Sequence, residues 1–174
     1  MVLIEPEPPT AAPLVEDLLD RAFGPTRRAK TAERLREGRL PADGLSFIAV
    51  DEVCLLGTIR FWHVGIGQHK AALLLGPVAV AASHRSTGLG DSLIRRGLSV
   101  ARTLGHTAVI LVGDAPYYGR FGFSADRTSS MTLPGPVERR RFLACELVSG
   151  ALADASGLVL PTGAVDPRYR LRAA

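Results

Sequence analysis

Apolar residues along this chain fall mainly into short runs that are bounded by glycine, proline or acidic residues. Short runs rich in valine, isoleucine and leucine are typical of buried or half-buried strands. Within residues 71–80, Gly76-Pro77 interrupts the run and favours a bulge or a splayed strand, because proline lacks the N–H that a ladder needs. The pattern predicts strands at residues 2–5, 45–50, 54–64, 71–80, 108–112, 131–133 and 142–148.

Helical spacing of apolar residues appears in three further segments. Thr10 can cap a helix whose apolar positions 14, 18, 19 and 22 share one face, and Gly24-Pro25 ends it. Residues 27–36 predict a second, mostly polar helix with Ala32 and Leu35 as its thin apolar stripe. Residues 88–103 predict a long third helix. The chain after Gly150 predicts one short helix followed by irregular structure rich in proline and glycine.

The order of these elements indicates an α/β fold in a single domain spanning residues 1–174. The strand at 71–80, the helix at 88–103 and the strand at 108–112 form a strand–helix–strand unit, which makes the two strands parallel neighbours. The other strands are joined by short connections. We therefore expect a mixed, largely antiparallel sheet with helices on both faces.

Composition narrows the choice of partners. The formal net charge is +4, and the arginines are spread over several segments without interleaved aromatic residues, so we expect no nucleic-acid partner. No apolar run approaches the roughly 20 residues that span a bilayer, and the N-terminus lacks a signal-peptide pattern, so we expect a cytoplasmic protein without a membrane partner. Cys54 and Cys145 are not spaced as metal ligands, so we expect no metal site. We expect both to be buried as small hydrophobic residues.

The turn after the strand at 71–80 predicts a phosphate site. It is basic and glycine-rich, and it opens directly into a helix, so consecutive N–H groups and a helix N-terminus can face an anion. A Walker A loop is excluded by the spacing of Gly88 and Gly90, and the dinucleotide fingerprint is excluded because position 93 is leucine. The pattern that does match is Arg-x-x-Gly-x-Gly, formed by residues 85–90.

That pattern resembles the acetyl-CoA pyrophosphate loop of the GCN5-related N-acetyltransferase (GNAT) superfamily. A second motif follows the next strand: Tyr117-Tyr118-Gly119-Arg120-Phe121-Gly122-Phe123 is similar to the family's Phe-Tyr-x-x-x-Gly-Phe ending. The amino-acid sequences of this motif and of residues 74–80 resemble those of the bacterial YhbS-like branch of the superfamily. The likeness is good over residues 45–123 and extends elsewhere only by layout, with residues 124–174 as a substrate-side segment.

The resemblance implies a GNAT fold in which two central strands splay around acetyl-CoA, and it implies roles for individual residues. The backbone of the strand ending at Val80 would pair with the pantetheine arm, the Val78 N–H would polarise the thioester carbonyl, and Tyr118 would be the general acid. Tyr117 is then the core residue of the tyrosine pair. The implied acetyl-CoA contacts are Val78, Ala79, Val80, Arg85, Ser86, Thr87, Gly88, Leu89, Gly90, Asp91, Ser92, Asp114 and Tyr118.

The resemblance leaves open the roles of the two aspartates in this set and the identity of the general base. Asp91 fits a helix-dipole or capping partner better than a phosphate ligand. Asp114 can bind substrate or cap the short helix that follows it. Some family members place a glutamate on the cofactor strand, but residues 71–80 contain no acid. His63 is a candidate base, and Glu146 is a candidate for binding a cationic amine.

The sequence thus predicts transfer of an acetyl group from acetyl-CoA to a primary amine by direct attack in a ternary complex. Neither cysteine has a recognisable activating setting, which disfavours a covalent intermediate. The alternatives are a non-catalytic acetyl-CoA-binding module and a nucleotide-binding regulator. The acceptor amine, acceptance of longer acyl-CoAs and formation of a homodimer stay open.

Overall fold

Eight strands form a mixed, mostly antiparallel sheet in the computed structural model, which describes residues 1–172. Neighbours run β1-β2-β3-β4-β5-β7, while β8 extends β3 beyond the end of β2 and carries β6 on its far side. The predicted α/β class and largely antiparallel sheet are confirmed. The strands are β1 (Leu3–Pro6), β2 (Ser46–Val50), β3 (Leu55–Ile66), β4 (Lys70–Val80), β5 (Ala108–Val112), β6 (Met131–Thr132), β7 (Phe142–Glu146) and β8 (Gly157–Pro161).

Helices cover both faces of the sheet, as the sequence predicts. Alternate residues of a strand point to opposite faces. Ile48 and Ala79 meet the apolar stripe of α1, whereas Ile59 and Phe61 meet α2 on the other face. None of the helices within residues 1–172 is long and apolar enough to cross a membrane. The helices are α1 (Ala12–Phe23), α2 (Leu89–Thr103), α3 (Ala115–Gly119) and α4 (Pro167–Arg172).

The parallel pair β4–β5 separates soon after it forms. Its register contains only Leu73↔Val109 and Leu74↔Ile110, and the strands diverge before Gly76-Pro77. Trp62 Nε1 donates to the Gly76 carbonyl at 2.6 Å, so this backbone acceptor is satisfied by a side chain. Beyond the break, β4 pairs with β3 alone, and a splay opens between β4 and β5. The predicted splay is confirmed.

The predicted second helix at residues 27–36 is wrong. The structure has two 3-10 segments there, Pro25–Ala29 and Thr31–Leu35, separated by Lys30 in extended conformation. Arg27 explains the outcome, because its buried guanidinium is drawn onto α1 by Glu16 and Asp20, at 2.6 Å each. Tertiary ion pairs therefore outweigh the helical propensity of a polar segment with a thin apolar stripe.

Two further predictions need correction. The segment after Gly150 contains β8 rather than only a short helix and irregular chain. The one buried residue of β8, Val159, pairs with Ile66 of β3. A single buried position among prolines and glycines gives no readable strand pattern. Cys54 is exposed in the turn before β3, where its N–H donates to Asp51 Oδ1 at 2.7 Å; Cys145 is buried as predicted.

Packing of α2 on β3 gives a stability prediction. A Cβ placed on Gly97 would lie 2.6 Å from Phe61 Cζ, and Phe61 is fully buried. We expect Gly97→Ala to lower the free energy of unfolding, because overpacking costs about 1–3 kcal/mol and the helix-propensity gain is only about 1 kcal/mol. Urea denaturation measures the change. Gly119→Ala is the control, since a Cβ there meets no atom within 4 Å; an equal loss in both variants would contradict the argument.

Candidate active site

The turn between β4 and α2 forms a concave surface at the helix N-terminus. Gly88 precedes Leu89 with φ 84°, a left-handed conformation that favours glycine. The hydroxyls of Thr87 and Ser92 donate to the backbone carbonyls of His84 and Gly88, at 2.7 and 3.1 Å. No described side chain caps the N-terminus of α2, so its first N–H groups stay available to a ligand. The resulting cradle has a volume of about 430 Å³ and is lined by Val80, His84, Arg85, Ser86, Gly88, Gly90, Asp91, Tyr117 and Arg120.

Six of the thirteen predicted cofactor residues line the cradle: Val80, Arg85, Ser86, Gly88, Gly90 and Asp91. The side chains of two others point into the core. Leu89 is buried in the core against α2's neighbours rather than exposed to a ligand. Ala79 turns its side chain towards α1, and its backbone pairs with Thr58 of β3. Arg85 is exposed and, within the described residues, makes no ion pair. Its guanidinium is therefore available to an anion in the cradle.

Asp91 holds the cradle to α3. Its Oδ1 accepts hydrogen bonds from the Tyr117 hydroxyl and from Arg120 Nη2, both at 3.0 Å. The Arg120 guanidinium also lies 4.5 Å from the centre of the Tyr117 ring. Burial and the Asp91 carboxylate raise the pKa of Tyr117 to about 12. Arg120 thus balances the charge of the Asp91 carboxylate in this basic loop. The two hydrogen bonds of Asp91 connect the loop to α3.

Three residues that line the cradle are outside the predicted set: His84, Tyr117 and Arg120. The sequence predicts Tyr117 in the core, but its hydroxyl lies 3.1 Å from the position a Cβ would take on Gly90. In a helix of five residues the periodicity is too short to fix which of two adjacent tyrosines faces inward. The one available signal was Asp91 itself, an unpaired acid that required a donor.

Tyr118 lies at the carboxyl end of β5. Its ring packs on Gly113, where a Cβ would come within 2.8 Å of Cδ2, and it makes edge contacts with Tyr117 and Phe123. Burial raises its pKa to about 12, with Arg141 and Asp114 acting in opposite senses. The phenol is therefore protonated at neutral pH and forms no hydrogen bond with the described residues. Asp114 caps α3, accepting from the Tyr117 N–H at 3.2 Å.

Val78 lies on one side of the splay, and Asp114 with the helix α3 that carries Tyr118 follows the strand on the other side. Counted from the Leu74–Ile110 pair, Val78 on β4 and Asp114 after β5 are both four residues further along. Ala81 N–H donates to Leu56 on β3 at 2.8 Å. Because antiparallel hydrogen bonding alternates, the N–H and C=O groups of Val78 and Val80 point away from β3, into the splay.

His63 and Glu146 lie away from this centre. His63 is four residues along β3 from Ile59, the partner of Val78, which places it about 13 Å from that level. Its ring lies 5.5 Å from that of His106, whose pKa is lowered by burial and by His63. Glu146 accepts from the N–H groups of Gly150 and Leu152 and pairs with Arg127 at 2.8 Å. The structure does not bring either residue to the splay.

A larger cavity opens on the α1 face of the sheet, with a volume of about 660 Å³. Its floor includes Arg60, Trp62 and Pro77, and its walls come from α1, the 3-10 segments and residues 166–169. Arg60 forms a paired contact with Glu7, at 2.8 and 2.5 Å, and reaches Glu16 at 2.8 Å. This α1-face cavity is therefore built on a desolvated network of ion pairs.

Comparison with known proteins identifies the family. Residues 12–123 match the model of the acetyltransferase (GNAT) family. The chain belongs to this family. It is 31% identical to the uncharacterised N-acetyltransferase YhbS of Escherichia coli K12 over 159 residues, covering 91% of this chain and 95% of that protein. The predicted GNAT resemblance and its YhbS-like branch are confirmed, and GNAT membership makes the protein an acyltransferase.

Solved GNAT structures share the whole architecture. The crystal structure of E. coli YhbS in complex with CoA matches with a TM-score of 0.78 at 31% identity, covering 92% of this chain and 89% of that one. A GNAT acetyltransferase of Brucella melitensis in complex with acetyl-CoA matches with a TM-score of 0.66 at 27% identity, covering 95% and 94%. Both matches extend well beyond the residues that carry the two sequence motifs.

The ion-pair network predicts a loss of stability in acid. Burial raises the pKa of Glu16, but hydrogen bonds from Arg27 and Arg60 outweigh it and hold the pKa below its ordinary value of 4.5. Because the folded-state pKa is the lower one, Glu16 stabilises the fold above about pH 4.5 and loses this effect as the pH falls through the folded value. We expect Glu16→Gln to cost about 1 kcal/mol at neutral pH and to flatten the fall in stability between about pH 5 and pH 3.

Urea denaturation across this pH range measures the effect. Asp17→Asn is the matched control, because the neighbouring Asp17 pairs with Arg21 at the exposed surface and with no other arginine in the described part of the chain. If Asp17→Asn flattened the profile as much as Glu16→Gln, the buried network would not be the cause.

Proposed function

We propose that this protein transfers the acetyl group of acetyl-CoA to a primary amine by direct attack in a ternary complex. The observation that carries the proposal is the splay: the backbone of Val78 and Val80 faces outward there, Val80 also lines the cradle, and Tyr118 follows the strand on the other side. A pantetheine arm can pair with that strand edge as an added strand would. The crystal structures of relatives with CoA and with acetyl-CoA support this choice of co-substrate.

The cradle supplies the expected phosphate contacts. Free N–H groups at the start of α2 face the anion, and Arg85 adds a charged fork. Asp91 does not oppose this, because Arg120 balances its charge. No metal is required by this assignment, and no cluster of three potential ligands occurs within residues 1–172.

The chemistry follows from the groups at the splay. The unprotonated amine nitrogen attacks the thioester carbonyl carbon, the C–N bond forms and the C–S bond breaks. The Val78 N–H stabilises negative charge on the carbonyl oxygen. Tyr118 donates its proton to the departing sulfur and regains one from the attacking nitrogen, directly or through water. Its pKa of about 12 keeps the phenol protonated before the reaction and makes the phenolate a strong base for the second transfer. The products are the N-acetylated amine and the free thiol of CoA.

A covalent enzyme intermediate has little support in the placement of the cysteines. Cys54 lies in an exposed turn before β3. Cys145 is buried, and burial raises the pKa of its thiol, whereas a nucleophilic cysteine needs the thiolate. The free state of both thiols fits the proposed cytoplasmic location. Attack by the amine itself is therefore the proposed route.

Tyr118→Phe separates catalysis from binding alone. We expect the variant to lower the kcat for thiol release from acetyl-CoA by about 100-fold, while Kd for acetyl-CoA by calorimetry stays within about twofold. Tyr117→Phe is the matched control: it should weaken acetyl-CoA binding through the cradle and leave kcat at saturation largely intact. A wild-type protein that binds acetyl-CoA without any turnover would support the non-catalytic module instead.

Arg85→Gln tests the cradle. We expect Kd for acetyl-CoA to rise about tenfold, since a charge-assisted contact to phosphate is worth about 1.5–3 kcal/mol before solvent exposure is allowed for. Arg21→Gln removes the same charge from an exposed position on α1 and should leave Kd unchanged. Tighter binding of ATP than of acetyl-CoA would overturn the assignment in favour of a nucleotide site.

A further inference from the structure

The charges of the α1-face cavity are not evenly matched. Among the described residues, six guanidinium groups and five carboxylates line it, so its lining is net positive. Glu7 and Glu16 are both engaged by Arg60, and Glu16 also by Arg27. Arg168 pairs with Asp166 at 2.8 Å. The charges of these carboxylates are therefore already balanced by arginines, which makes them poor partners for a cationic ligand.

Arg36 and Arg39 are the two guanidinium groups of the cavity that form no hydrogen bond with a carboxylate of the described residues. Arg39 still donates through Nη1 to the Gly163 carbonyl at 2.8 Å, so Arg36 is the more weakly satisfied of the two. Its side chain is only 12% exposed, and Glu33, the one carboxylate near it, lies 3.7 Å from Nε, beyond hydrogen-bond distance. Nε donates to the Ala32 carbonyl at 3.2 Å. Within the part of the chain that the structure describes, neither terminal nitrogen forms a hydrogen bond. Burial lowers the pKa of Arg36, and the charges of Arg27 and Arg60 act in the same direction while Glu33 opposes them.

A desolvated guanidinium in this state favours a ligand that brings a negative charge. Its planar fork of donors matches a carboxylate in two parallel hydrogen bonds. The cost of having removed Arg36 from water has already been met by folding, so an arriving carboxylate gains the interaction in a low-dielectric setting. The volume of about 660 Å³ suits a ligand of amino-acid or short-peptide size.

The cavity extends to the residue next to Val78. Pro77 lines its floor and directly precedes Val78, whose N–H faces the splay. Trp62 holds the Gly76 carbonyl beside it at 2.6 Å. A ligand in the α1-face cavity therefore approaches the splay from the face opposite α2, whereas the cradle lies at the N-terminus of α2.

We propose that the acceptor is a primary amine that carries a carboxylate, such as an amino acid or a short peptide, and that Arg36 binds that carboxylate while the amine reaches the splay beside Pro77. This substrate class rests on the proposed acetyl transfer. Arg36 is then a specificity-determining residue. It contacts the acceptor away from the reacting atoms.

The test compares α-amino acids with their α-carboxamides as acceptors, by thiol release from acetyl-CoA. Each pair shares the side chain and the amine and differs in the negative charge. The amine of the amide is less basic, so at neutral pH a larger fraction of it is unprotonated and able to attack. A larger supply of unprotonated amine therefore cannot explain a preference for the acid. We expect kcat/KM for the best acid to exceed that for its amide at least tenfold. R36Q should abolish this preference by raising KM for the acid, while turnover of the amide stays within about twofold of the wild-type value.

Three controls accompany the comparison. R21Q changes the same charge outside the cavity and should keep the preference for the acid. R36K keeps the charge but loses the fork, so it should keep only part of the preference. If R36Q fails to fold, R36K carries the test. Calorimetry with acetyl-CoA should give the same Kd for the wild type and all three variants within about twofold.

The outcomes distinguish this inference from the proposed function. An acid preference that disappears in R36Q supports it. Amides used as well as acids, a preference that survives in R36Q, or acetyl-CoA binding without transfer to any of the acids would overturn the substrate class and leave the cofactor assignment standing. Failure of the wild type to bind acetyl-CoA would overturn the proposed function itself.

Discussion

The separation of β4 from β5 is the constraint on which the site depends. Two parallel strands that stayed paired to their ends would use every backbone group in the ladder, and no strand edge would remain for a ligand. Here the pairing ends at Leu74–Ile110, and Gly76-Pro77 follows. Trp62 satisfies the Gly76 carbonyl, so the break leaves no orphaned acceptor at that point. The outward-facing groups of Val78 and Val80 are consequences of this one interruption.

A second constraint is the charge network beneath α1. Arg60 lies on an interior strand, and an isolated charge there would cost several kcal/mol, on the order that Born solvation implies. Glu7 and Glu16 neutralise it, and Arg27 draws the following segment onto α1 through Glu16 and Asp20. The same ion pairs that prevent a regular second helix thereby shape the wall of the α1-face cavity. Arg36 is left with a surplus of donors because the network's carboxylates are already engaged.

Much of this fold could be predicted from local patterns, and the failures share a cause. The strands at 71–80 and 108–112, the helix between them and the turn at 85–90 carry their signal in adjacent residues, through apolar runs and glycine spacing. Tyr117, the 3-10 segments and β8 depend on partners distant in sequence: Asp91 for the first, Glu16 and Asp20 for the second, Ile66 for the third. Periodicity within one segment contains no information about such partners. The α1-face cavity was invisible for the same reason, since it joins residues from both ends of the chain.

The two cavities meet the sheet from opposite faces, and this arrangement bears on the absence of an acid from β4. A base on that strand would have to share the narrow splay with the thioester and the Val78 N–H. The α1-face cavity instead places its charged groups at a distance from the splay, and most of its carboxylates are held by arginines. In the reaction that we propose, proton removal from the amine then falls to water or to the phenolate that Tyr118 becomes when it protonates the leaving sulfur. The phenolate of a tyrosine whose pKa is about 12 is a strong base. In the proposed reaction, the residue that protonates the leaving sulfur is therefore also suited to take the proton from the attacking nitrogen.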